Sequence, residues 1–167
     1  MDKIEVSKHT KYSLELIFSE SDKMAESITK SLSENVNKSF VAFAIYASIF
    51  SFSFVKVAEG ELSYVIACVG CVVSSIFLYK NIFPETVIFR GARPELMFDS
   101  YFDDFSGEDL EKEYLATQVE NYNDAISENM ETITKQVKRF NRSVVALVVF
   151  LILLLVALYF PVECLHA

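Results

Sequence analysis

Two guanidinium groups, Arg90 and Arg93, stand in the turn-forming run Arg90-Gly91-Ala92-Arg93-Pro94-Glu95, with Phe89, Phe98 and Tyr101 nearby in sequence. Guanidinium groups bind phosphate bidentately and aromatic rings stack on bases, so this combination could hold a nucleotide or an oligonucleotide. Lys138 and Arg139 extend the same basic set further along the chain. The competing reading takes Arg90, Arg93, Lys135, Lys138, Arg139 and Arg142 as residues that contact anionic lipid headgroups beside a membrane.

The remaining reactive side chains assemble nothing catalytic. The two histidines, His9 and His166, sit near opposite ends, and no phosphate-cradling glycine loop, nucleophile elbow or zinc-helix motif occurs. The sequence therefore predicts a protein that is not an enzyme and needs no metal or cofactor. Cys68 and Cys71 have a metal-like spacing but lie inside an apolar run without further ligands, where free thiols pack as small hydrophobes. Twelve Asp and Glu lie between Glu95 and Glu131 with only Lys112 to offset them. That is the pattern of a solvated acidic face, which beside a pore mouth would concentrate cations. A net charge of −8 over 167 residues argues against nonspecific binding to nucleic acid.

Three charge-free apolar runs must position these groups: Ser39 to Val55, Leu62 to Tyr79 and Ser143 to Val162, of seventeen, eighteen and twenty residues. Each is long enough to cross a hydrocarbon core as a helix, although the first two would also fit a buried hairpin. Lysine and arginine flank the inner ends (Lys30 and Lys38, then Lys80, then Lys135 to Arg142), while the loop from Lys56 to Glu61 and the C-terminal tail lack a basic excess. The positive-inside rule then places the N-terminus and the long central segment in the cytoplasm, with the C-terminus external, in a bacterial inner membrane. The expected fold is an all-α membrane protein. Its segments are a cytoplasmic amphipathic helix over 1–38, a two-span hairpin over 39–79, a cytoplasmic turn region and long helix over 80–142, a third span over 143–162 and an external tail over 163–167.

Two stripes carry the packing expectations. Met24, Ile28, Leu32, Val36 and Phe40 repeat every four residues along the first helix. Val119, Tyr122, Ile126, Met130, Ile133, Val137, Phe140 and Val144 form a coiled-coil-like seam on a helix running unbroken from Asp109 to Phe160, about 75 Å at the standard rise. Ser106, three residues before Asp109, reads as the N-cap of that helix, with an acidic first turn. Within the spans, small faces (Ala44, Ser48 and Ser51 on the first; Ser63, Ala67, Gly70 and Ser74 on the second) suit close helix packing. Ser48, Ser51 or Ser74 would alternatively line a pore between several subunits, and no ionisable residue sits at mid-depth to suggest proton pumping.

The order of elements — helical leader, two-span hairpin, the Pro84 to Pro94 turn with its Arg90 to Glu95 run, long helix — resembles the small membrane effectors of bacterial anti-phage defence, of the SLATT type and the Hailong channel type. The resemblance implies a homo-oligomeric pore in the lipid bilayer, gated by a nucleotide signal that a partner nucleotidyltransferase makes. Two other classes fit the same layout: a non-conducting scaffold that recruits a partner protein through the long helix, and a holin-like lysis protein.

Overall fold

The computed structural model describes residues 4–83 and 100–160. Three α-helices dominate it: α1, Lys11–Ala58; α2, Val65–Ile82; and α3, Gly107–Tyr159. Short 3-10 turns at Val6–Lys8, Leu62–Tyr64 and Ser100–Asp104 complete the described elements, which include no strand. Each α-helix holds a stretch long and apolar enough to cross a membrane, compatible with a multi-pass membrane protein. The leader and the first apolar run are one helix of 48 residues, and the long helix and the third run are one of 53. Ala, Leu, Glu, Lys and Ser populate both, and neither contains proline, so nothing in the sequence interrupts them. The two-residue turn at Glu59 and Gly60 reverses the chain between α1 and α2, and Gly60 takes a φ of +98°, a conformation that side chains disfavour. Gly107, at the start of α3, also has a positive φ, and Glu108 and Asp109 form the acidic first turn.

The chain divides into two compact units. Unit 1 comprises Met1–Leu32 and Thr86–Thr132, and unit 2 comprises Ser33–Glu85 and Ile133–Ala167. In unit 1, Leu14, Ala25, Ile28 and Leu32 of α1 are buried, as are Ala116, Val119, Tyr122 and Ala125 of α3. The helices run parallel there, because Lys11 pairs with Glu111 and the Tyr122 hydroxyl donates to Asp22 Oδ1 at 3.1 Å. Phe18 meets Tyr122 edge-on at 5.5 Å, and Phe102 stacks on Tyr114 at 4.2 Å.

In unit 2 the hydrophobic core is Ala42, Tyr46, Cys71, Leu78 and Leu147, with Ile49, Phe50, Ile82, Phe140 and Leu151 packed against it. Close packing is most severe at Gly70, where an added Cβ would lie 2.4 Å from Phe150 Cβ. Only 17%, 28% and 17% of the apolar stretches in α1, α2 and α3 is buried within the chain. The outer surface is accordingly covered with exposed Val, Leu, Ile and Phe, as a surface facing lipid or another chain would be.

Both expected stripes need correction. Met24 and Phe40 are exposed, and the buried line of α1 is instead Ala25, Leu32, Ser39, Tyr46 and Ser53, one residue every seven. A strict four-residue step turns 400° on a 3.6-residue helix, so it drifts about 40° per repeat and leaves the buried side within a few turns. On α3, Met130, Val137 and Val144 are exposed, and their neighbours Asn129, Gln136 and Ser143 are buried. Tyr122, Asn129, Gln136 and Ser143 are again spaced by seven, which keeps one seam facing its partners. Ala67, Ser74 and Asn81 repeat the spacing on α2. At Met130, Val137 and Val144 the hydrophobic pattern selected the wrong neighbour because the inward positions there are polar: Asn129, Gln136 and Ser143.

A buried polar core as the candidate functional site

The candidate site of unit 2 is built from those polar positions. Asn81, 0% exposed, donates through Nδ2 to Ser39 Oγ at 3.3 Å and to the main-chain oxygen of Gln136 at 2.9 Å. One layer therefore joins all three helices. The Ser39 hydroxyl donates its own hydrogen bond to the Asn35 carbonyl at 2.8 Å, which leaves its lone pairs for Asn81. One heptad further, Ser143 Oγ lies 2.9 Å from the Tyr46 hydroxyl and 2.9 Å from the Ser74 carbonyl. A hydroxyl has one proton and the carbonyl can only accept, so Ser143 donates to Ser74 and Tyr46 donates to Ser143. This second layer again takes one residue from each helix.

Three buried side-chain oxygens have no hydrogen-bond partner among the described residues: Asn81 Oδ1, Gln136 Oε1 and Ser74 Oγ. An unpaired buried acceptor costs roughly 1–3 kcal/mol. Polar side chains inside spanning helices characteristically turn to the bundle interior, where they join helices and fix register. The layers can thus select one packing of three apolar helices, which lipid-like surfaces by themselves do not discriminate.

The residues expected to form sites distribute as follows. Ser48 and Ser51 are exposed, and each hydroxyl donates to the main-chain oxygen one turn back, Ala44 and Ala47 respectively, at 2.9 Å. Ser74 is fully buried in the core, so of the three serines only Ser48 and Ser51 offer surface to a neighbouring subunit. Arg90, Arg93 and Phe98 lie outside the described residues. Tyr101 belongs to unit 1, where its hydroxyl donates to Glu113 Oε2 at 3.0 Å; that bond to a carboxylate raises the phenol above its ordinary pKa. Lys138 and Arg139 belong to unit 2, the first exposed and the second half-buried. The acidic face of unit 1 is partly neutralised by Lys112, which pairs with Glu108 at 2.9 Å and holds that carboxyl below its usual range. No cluster of three His, Cys, Asp or Glu side chains suited to a metal occurs among the described residues.

Ser39, Asn81, Gln136, Ser143 and Tyr46 escaped the sequence reading. The seven-residue count onward from Tyr122 was the signal that would have found three of the polar positions on α3. Compared with protein-family models, curated proteins and solved structures, the chain matches none.

Proposed function

We propose that the chain is a homo-oligomeric effector of the bacterial plasma membrane, an ion-conducting pore opened by a nucleotide or oligonucleotide signal in anti-phage defence. The observation that carries this reading is the exposed small face of α1. Ala44, Ser48 and Ser51 take no part in the core of unit 2, and both serine hydroxyls are satisfied by their own helix. Such a face lets helices of neighbouring copies approach closely, and it gives a water-lined path hydroxyl groups without a buried charge. The interior of a single bundle is filled by Tyr46, Ser74, Ser143, Leu78 and Leu147, which favours a path between copies over one through each copy. In this reading the N-terminus faces the cytoplasm and the C-terminus the outside, and the basic residues Arg90, Arg93, Lys138 and Arg139, with Phe98 and Tyr101, receive the phosphate-rich signal from a partner nucleotidyltransferase.

The test is ion flux from liposomes containing the purified protein, with oligomer mass measured on the same preparation. A discrete oligomer whose flux rises with an added nucleotide supports the proposal. A monomer that stays silent with every nucleotide tried overturns it. The second reading, a non-conducting anchor for a partner protein, draws on the exposed Tyr12, Leu16 and Met24 of α1 in unit 1. Full membrane integrity in expressing cells, together with loss of partner recruitment in a Leu16→Asp variant, would favour it.

A further inference from the structure

Unit 2 carries a groove of about 500 Å³ between α1 and α2, within the range of small-molecule sites. Phe43, Tyr46 and Phe50 form one wall, and Val72, Ile76 and Tyr79 the other. Two of the hydroxyls along it are engaged within the bundle: Ser75 donates to the Cys71 carbonyl at 2.8 Å, and Tyr46 is held by Ser143 at 2.9 Å. The remaining lining is largely hydrocarbon, with the exposed Tyr79 at one end. One turn beyond Ile76, which lines the groove, α2 carries the exposed Lys80.

Basic residues outnumber acidic ones at that end. Asn81 ties its own level to Ser39 and Gln136, and each of these three residues is preceded by a lysine: Lys80, Lys38 and Lys135. Lys138, Arg139 and Arg142 follow within two turns of α3, against a single carboxylate, Glu34, among the described residues at that end of unit 2. A collar of this kind attracts anionic headgroups. A helix from another copy suits the groove less well. Close helix approach uses a continuous small face; Ala44, Ser48 and Ser51 are not part of the walls, and the small residues that are, Ala47, Cys71 and Ser75, stand among larger aromatic and branched ones.

We infer that the groove binds an anionic phospholipid, with one acyl chain between α1 and α2 and the headgroup phosphate on Lys80. This is independent of whether the protein conducts, and it assigns the groove to lipid.

Native mass spectrometry of the full chain in detergent, with added dioleoyl phosphatidylglycerol or dioleoyl phosphatidylcholine, tests it. One phosphatidylglycerol per chain is expected to stay bound, in preference to phosphatidylcholine. Lys80→Gln should lower that preference about fivefold, the worth of one lysine at a membrane surface. Val72→Trp, which fills the groove from an exposed position, should abolish retention of both lipids without changing the melting temperature. Ile76→Trp, also exposed, repeats the test if Val72→Trp does not fold. Equal retention of the two lipids by the parent chain overturns the inference, as does undiminished retention in the groove-filling variant. A dimer that Val72→Trp dissociates would put a second copy in the groove and overturn it too.

Discussion

Asn81 reaches Gln136 through the main chain: its Nδ2 donates to the Gln136 carbonyl at 2.9 Å, while the Gln136 side-chain oxygen, equally buried, has no partner. Two polar residues in one layer therefore have opposite energetic roles. Asn81→Leu removes the bonds to both Ser39 and Gln136, a loss only partly offset by removal of its own unpaired Oδ1, and should destabilise unit 2 by about 1 kcal/mol. Gln136→Leu keeps the carbonyl that Asn81 uses and removes an unpaired acceptor, so it should be neutral or stabilising by up to about 1 kcal/mol. Thermal melting of the detergent-solubilised protein distinguishes the two. Equal losses would mean that the Gln136 side chain holds the layer.

The second layer predicts an asymmetry of its own. Tyr46→Phe deletes a donor and leaves Ser143 still bonded to the Ser74 carbonyl, whereas Ser143→Ala leaves the buried Tyr46 hydroxyl without its acceptor. Ser143→Ala should therefore cost more, by about 1 kcal/mol, and combining the two should cost little beyond Ser143→Ala alone. Additive losses in the double-mutant cycle would show that the two hydroxyls are not coupled.

Gly70 faces the opposite penalty. A Cβ there would come within 2.4 Å of Phe150 Cβ, on an α3 backbone that cannot easily withdraw. Gly70→Ala should destabilise by about 1–3 kcal/mol through overpacking. Phe150→Ala removes the rest of the ring but not the clashing Cβ, so it should recover only part of the loss, whereas Phe150→Gly should recover more of the steric part at the expense of helix propensity. Full recovery by Phe150→Ala would mean that the ring, and not the approach of the two helices, sets the limit.

In unit 1 the hydrogen bond and charge of Glu111 hold the Lys11 ammonium above its usual pKa. A raised pKa leaves less free amine at pH 9, so Lys11 should be acylated slowly. Glu111→Gln lowers the pKa and should speed that reaction. Peptide mapping after brief treatment with an amine-reactive ester reads the change, and an unaltered rate would mean that the pair does not persist in solution.

The sequence made the helices legible, because long unbroken runs with strong composition leave little choice of element. It was less informative about which sides of those helices meet. Ile28, Leu32, Val119 and Tyr122 are buried as their periodicity suggested, yet beyond them the apolar pattern points to Met130, Val137 and Val144, which are exposed. In water, hydrophobicity marks the inside of a helix. Along a spanning helix both sides are apolar, so apolar periodicity cannot distinguish the inward Ala42, Leu78 and Leu147 from the outward side, and it passes over the inward Ser39, Ser74, Gln136 and Ser143. The expected pore serines divided on the same ground: Ser74 follows the polar interior, while Ser48 and Ser51 lie on the outside. The expected phosphate-binding turn, Arg90 to Glu95, lies outside the described residues.

The seven-residue polar layers also determine how this chain tolerates genetic drift. Val145, Val148, Ile152 and Leu155 point outward, and exchange among aliphatic residues there preserves what the surroundings require. Ser39, Asn81 and Ser143 each serve two neighbours at once, so replacement at one position alters the demands on two others. Diverged copies of this protein would thus keep a sparse set of small polar letters in place while the apolar letters between them reshuffle. Overall sequence identity would then decay much faster than the bundle itself.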